Sequence, residues 1–140
     1  MAVGDYNNDG WQDFVVNNNG EAAQLFRNEG GSATAASRNH WLAVHLIGTK
    51  SNRDGLGAKL KLVAGEFVSF DQAKGGMSYC SAQDPRIYFG LGSRTKIDSL
   101  EITWPSGTVD VVRNPAPDQI ITVEEGRGLT GYHFPKFHKP

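Results

Sequence analysis

From Asn39 onward the chain reads as strand after strand, with no stretch of helical periodicity between them. In a strand successive side chains point to opposite faces, so a half-buried strand alternates apolar and polar residues. Ala58-Lys59-Leu60-Lys61-Leu62-Val63 does this cleanly, with Leu60 and Leu62 facing inward and the two lysines outward. Ser99-Leu100-Glu101-Ile102-Thr103-Trp104 and Val109-Asp110-Val111-Val112 alternate as well, and Pro105-Ser106-Gly107-Thr108 between them predicts a hairpin. In His40–Gly48, Trp41, Ala43 and His45 share one side, and Leu42, Val44 and Leu46 the other. Phe67–Asp71, Arg86–Leu91 and Gln119–Val123 complete the set. Short strands at regular spacing, separated by Gly, Pro and Asn, predict an all-β protein whose unit over 39–126 is a β-sandwich or jelly roll.

The chain before this unit is organised differently. In Asp5-Tyr6-Asn7-Asn8-Asp9-Gly10-Trp11-Gln12-Asp13, oxygen-bearing side chains recur at Asp5, Asn7, Asp9 and Asp13. Three carboxylates this close repel one another, and a loop that folds them inward calls for a cation. Ca²⁺ takes about 6–8 oxygen ligands, and here Asp5, Asn7, Asp9 and Asp13 offer side-chain oxygens while Trp11 offers its backbone carbonyl. Gly10 sits where such a loop turns sharply. The same residue types also suit an Asx-rich turn that holds no metal.

An EF-hand loop closes on a glutamate at its twelfth position. Counted from Asp5 that position is Val16, and Phe14-Val15-Val16 leads into a strand. Asn17-Asn18-Asn19-Gly20 is a turn cluster, and Ala23–Arg27 is the returning strand. The expected organisation is a calcium-loop hairpin over 1–28, a small-residue linker over 29–38, the sandwich over 39–126, and a surface tail rich in proline and aromatics over 127–140.

With 140 residues and 39% hydrophobic content, the chain has enough apolar material for a real core. A net charge of -1 provides no field to attract nucleic acid or an anionic membrane, and no apolar run approaches the ~20 residues of a membrane span. Cys80 is the sole cysteine, which rules out an intrachain disulfide and leaves the compartment open. Met1-Ala2-Val3-Gly4 has no signal-peptide character. A removed signal, a longer parent chain and a cytosolic location all fit that fact. Weak calcium loops suit millimolar extracellular calcium, which favours the outside of the cell.

Other constellations carry less chemistry. Asn52-Arg53-Asp54-Gly55-Leu56-Gly57 reads as a tight turn more than as an anion loop, and Asp84 and Arg86 as a local ion pair more than as a sugar site. Glu66 with Asp71, or Glu124 with Glu125, is a conceivable glycosidase pair, but solvated strand residues are the simpler reading. His133 and His138 make only a weak zinc pattern. Trp41 and Trp104 lie in strands and belong to the core, whereas Trp11 sits in the loop, where it would be free to stack on a sugar. No nucleophile–base pair is evident, so no enzymatic activity is expected.

Two resemblances follow. The Asp5–Asp13 loop, with Ala2-Val3-Gly4 before it and Phe14-Val15-Val16 after it, resembles an FG-GAP or VCBS-type repeat, as does Leu25-Phe26-Arg27-Asn28. That likeness implies a calcium loop within a blade of an integrin-like β-propeller. Asn39-His40-Trp41-Leu42, Ser51–Ala58, Gln83-Asp84-Pro85-Arg86, Phe89-Gly90-Leu91-Gly92 and Trp104-Pro105-Ser106-Gly107 resemble the ASPIC/UnbV domain that typically follows such repeats. This resemblance implies a secreted or surface protein without established catalysis.

A propeller needs about 4–8 blades, and one repeat leaves strand edges open to pairing. The expected function is therefore a non-catalytic, calcium-stabilised extracellular protein of assembly or adhesion, self-associating in fibre-like fashion through strand edges. Its expected partners are other copies of itself or a larger surface protein, with a glycan as a possible ligand. The alternatives are a carbohydrate-binding accessory module, or the C-terminal fragment of a larger secreted β-propeller protein.

Overall fold

A computed structural model describes residues 1–29, 39–76, 79 and 81–133. Nearly all of the expected linker, together with Cys80, Phe134, Phe137 and His138, lies outside the described residues. The described residues are all-β and contain no helix. β1 (Ala2–Gly4), β2 (Asp13–Val16) and β3 (Gln24–Phe26) form an antiparallel three-stranded sheet in that order.

The remaining strands build two four-stranded sheets. β4 (His40–Ile47), β7 (Ile87–Gly92), β10 (Gln119–Glu124) and β11 (Gly128–His133) make the first, in the order β11-β10-β4-β7. Its β4–β10 pair is parallel, and its other pairs are antiparallel. β5 (Lys59–Ala64), β6 (Phe67–Gln72), β8 (Ser99–Thr103) and β9 (Val109–Arg113) make the second, in the order β6-β5-β8-β9 and wholly antiparallel. One apolar core joins the two sheets. Leu42, Val44, Phe89, Ile121 and Val123 from the first meet Leu60, Leu62, Leu100 and Ile102 from the second. This is the expected sandwich, and burying each such side chain stabilises it by about 1.5–3 kcal/mol.

Local sequence explains most of the elements. β5 is buried at Leu60 and Leu62 and exposed at Lys59 and Lys61, as its alternation requires. The β8–β9 turn closes with Gly107 N–H donating to the Trp104 carbonyl at 2.9 Å, and Gly107 adopts φ 87°, which glycine accepts without steric cost. Trp104 is in the core, its indole N–H donating to Asp110 at 2.7 Å. β4 is buried on both faces. Leu42, Val44 and Leu46 enter the main core, while Trp41 and Ala43 join Ile120 in a second apolar cluster on the outer side of the sheet.

Gly128–His133, placed by the sequence in the tail, is an edge strand that pairs with β10. Glu125 also departs from expectation. It is not a solvated strand residue but a buried carboxylate. It accepts N–H bonds from Thr49, Lys50 and Ser51 at 2.9, 2.8 and 2.7 Å, and hydroxyl bonds from Ser51 and Ser106. Three successive backbone N–H groups form an anion-binding concavity, and the chain fills it with its own carboxylate.

Burial pushes the Glu125 carboxyl up, but the Ser106 hydroxyl and the Ser51, Thr49 and Lys50 N–H groups outweigh it and hold the group at about 2. Because the folded value lies below the ordinary 4.5, this contribution to stability is complete above pH 4.5 and is lost as pH falls toward about 2. Glu125→Gln is expected to lower the melting temperature at neutral pH and to flatten its fall across that window, as read by thermal denaturation at stepped pH.

Candidate functional site

The acidic loop joins β1 to β2, and its carboxylates turn inward. Asp5 and Asp13 are only 3% and 1% exposed. Asp5 accepts the Asp9 N–H at 3.0 Å on one oxygen and the Gly10 N–H at 2.8 Å on the other. Asp13 accepts Tyr6 N–H at 3.2 Å and Asn28 N–H at 2.7 Å, tying the loop to the end of β3. Asp9 takes the Trp11 N–H at 3.0 Å and the Asn7 amide at 2.8 Å, with Arg27 at 3.9 Å. Asn8 at φ 57° and Gly10 at φ 89° supply the two left-handed turns that fold the loop back.

The donor set suits a hard cation: Asp5, Asn7, Asp9 and Asp13 offer oxygens, and the Trp11 carbonyl is the fifth candidate. Burial disfavours the charged form of Asp5 and pushes its carboxyl up despite the Gly10 and Asp9 N–H bonds. A buried carboxylate in that condition gains from a cation. The oxygens are nonetheless turned to backbone N–H groups. Among the described residues, no three His, Cys, Asp or Glu side chains gather into a group able to hold a metal.

The loop does not stand free of the sandwich. Gly10 packs against the Trp41 indole, so close that a Cβ on it would fall 1.8 Å from the nearest ring atom. The Asp84 N–H donates to the Val3 carbonyl at 3.2 Å, and the Ser81 hydroxyl to the Met1 carbonyl, so the outer edge of β1 is partly covered by this same chain.

Arg86 reaches furthest into the loop. Its guanidinium donates to the Asp5 carbonyl at 2.9 Å and to the Asn8 side-chain oxygen, while its Nε bonds both Asp84 oxygens at 2.9 and 2.8 Å. Burial pushes Asp84 up, but its bonds from Arg86 outweigh that and hold it below the usual carboxylate range. The Tyr88 hydroxyl donates to Asp84 at 3.0 Å, and burial drives that phenol upward. Asp84 and Arg86 thus form the ion pair read from the sequence. Their grip on a loop about 80 positions away was not visible there.

The other expectations fall as follows. In the Asn52–Gly57 turn, Asn52 accepts from Leu56 N–H at 2.7 Å, and Gly55 at φ 63° packs under Leu46 and Trp104. Trp11 is half-buried and, with Trp41, Tyr88 and His40, lines a groove of about 360 Å³. His133 is exposed at the end of β11.

The fold and loop define a two-part all-β protein, an Asp-rich hairpin repeat seated on a β-sandwich. The chain belongs to the ASPIC and UnbV family, whose family model matches residues 48–130, more than half of its length. The FG-GAP repeat model matches residues 1–35, the sheet that carries the acidic loop. A search of curated proteins returned no match. Both assignments agree with the resemblances drawn from the sequence.

Gly10→Ala is expected to lift the loop off Trp41, because it adds both a steric clash and an unfavourable positive φ. The loss is more than about 1 kcal/mol of docking stability. A changed tryptophan emission with an unaltered sandwich far-UV spectrum is the expected readout.

Proposed function

We propose that this protein is a non-catalytic, calcium-stabilised extracellular β-module that works in assembly, its FG-GAP sheet packing between other sheets of the same kind. The observation that carries this reading is a sheet apolar on both faces. Across one face run Val3, Phe14 and Phe26, with the two phenylalanine rings stacked at 4.6 Å. Across the other run Ala2, Val15 and Leu25. Phe14, Phe26, Val15 and Leu25 are 40%, 43%, 39% and 56% exposed.

A sheet with one wet face alternates apolar and polar residues, whereas a sheet covered on both sides is apolar throughout. Covering both faces is what neighbouring blades do in a propeller. Residues 81–84 partly cover the β1 edge, and among the described residues nothing pairs with the far edge of β3. That open edge supports strand pairing as the second route to assembly.

Calcium would be held by Asp5, Asn7, Asp9, Asp13 and the Trp11 carbonyl. Its contribution is charge: it neutralises carboxylates that the fold buries, so that the loop keeps the ends of β1 and β2 together. The FG-GAP match supports both the ion and a location outside the cell, where calcium is abundant. No helix among the described residues is long and apolar enough to cross a membrane.

Chelation is expected to lower the melting temperature of the amino-terminal sheet, and Asp9→Ala to make the protein indifferent to calcium. Differential scanning calorimetry with and without chelator checks this, and identical traces would refute it. Phe14→Ser with Phe26→Ser is expected to abolish concentration-dependent association, as followed by sedimentation velocity. A wild-type chain that stays monomeric at high concentration would count against the packing role.

A further inference from the structure

We infer that Arg86, carried by the sandwich, is a positioning residue for the acidic loop, so that cation binding and docking of the two units are one equilibrium. The inference rests on the calcium reading above and adds to it a residue outside the loop.

Three observations carry it. The guanidinium is aimed: Asp84 holds it through Nε, its carboxylate is also bonded by Tyr88, and the Arg86 and Asp84 side chains are only 17% and 12% exposed. The groups it grips are loop backbone and loop side chain, namely the Asp5 carbonyl and the Asn8 oxygen. Asn8 lies between the candidate ligands Asn7 and Asp9, in a left-handed conformation at φ 57° that asparagine adopts more readily than most residues, so holding its side chain fixes the middle of the loop.

Arginine suits this task because its planar fork bonds several acceptors at fixed angles, whereas lysine offers a compact point charge. If the loop conformation that Arg86 holds is the one that binds the ion, each event favours the other by the same factor. Calcium then tightens the loop against the sandwich, and the sandwich raises the affinity of the loop.

The test uses the full 140-residue chain. Calcium titration calorimetry and hydrogen exchange would compare wild type with Arg86→Lys, Arg86→Gln and Asn8→Gly. Asn8→Gly keeps the positive φ, removes the acceptor from the loop side and leaves the Asp84–Arg86 pair untouched, so it serves even if the arginine variants unfold. All three variants are expected to weaken calcium binding by roughly 5- to 150-fold. They should also speed exchange in β1 and β2 without calcium, and leave β5 and β8 unchanged. Failure of Arg86→Lys to restore affinity would identify the fork, not the charge, as the active feature.

Wild-type affinity and wild-type exchange in Asn8→Gly and Arg86→Gln would overturn the inference and leave the calcium reading standing. A wild-type chain that binds no calcium would overturn both.

Discussion

Two carboxylates buried at the ends of β1 and β2 govern the amino-terminal unit. A charge removed from water must be repaid by hydrogen bonds, by an opposite charge, or by protonation. Asp5 and Asp13 each receive two backbone N–H bonds, which fold the loop around them. For Asp5 these bonds fall short, and burial still disfavours its charge. A cation bound at the proposed loop site would offset that cost.

The sandwich has a different foundation. Its two sheets are joined by one apolar core, and the loops at one end are gathered by Glu125, whose carboxylate holds the 49–51 segment and Ser106. On the outer side of its first sheet, Trp41 and Arg86 make a seat for the acidic loop. The three-stranded sheet leaves Phe14, Val15, Leu25 and Phe26 exposed, so docking on the sandwich supplies packing that its own side chains do not. The unit of stability is therefore the repeat together with its seat.

Much of the fold was legible because strand alternation is local. Leu60 and Leu62 against Lys59 and Lys61 declare their faces without reference to anything distant, and Pro105–Thr108 announces its own hairpin. The oxygen spacing of Asp5, Asn7, Asp9 and Asp13 was likewise local. What escaped depended on partners far away in sequence. Glu125 looks like one more exposed acid until residues 74–76 positions earlier wrap around it. β11, with its glycines and absent alternation, is a strand because β10 offers it an edge. Arg86 reads as the partner of Asp84, and nothing in its neighbourhood points back to Asn8.

The central claim is that the buried acids of this loop are completed by a divalent cation. Terbium, a calcium-sized oxygen-seeking ion, becomes luminescent when excited through a nearby indole, and Trp11 and Trp41 both lie at the loop. The account predicts tryptophan-sensitised terbium emission that saturates, is displaced by calcium, and is lost in Asp9→Ala. No sensitised emission from a protein whose sandwich is folded and whose loop is docked would contradict it.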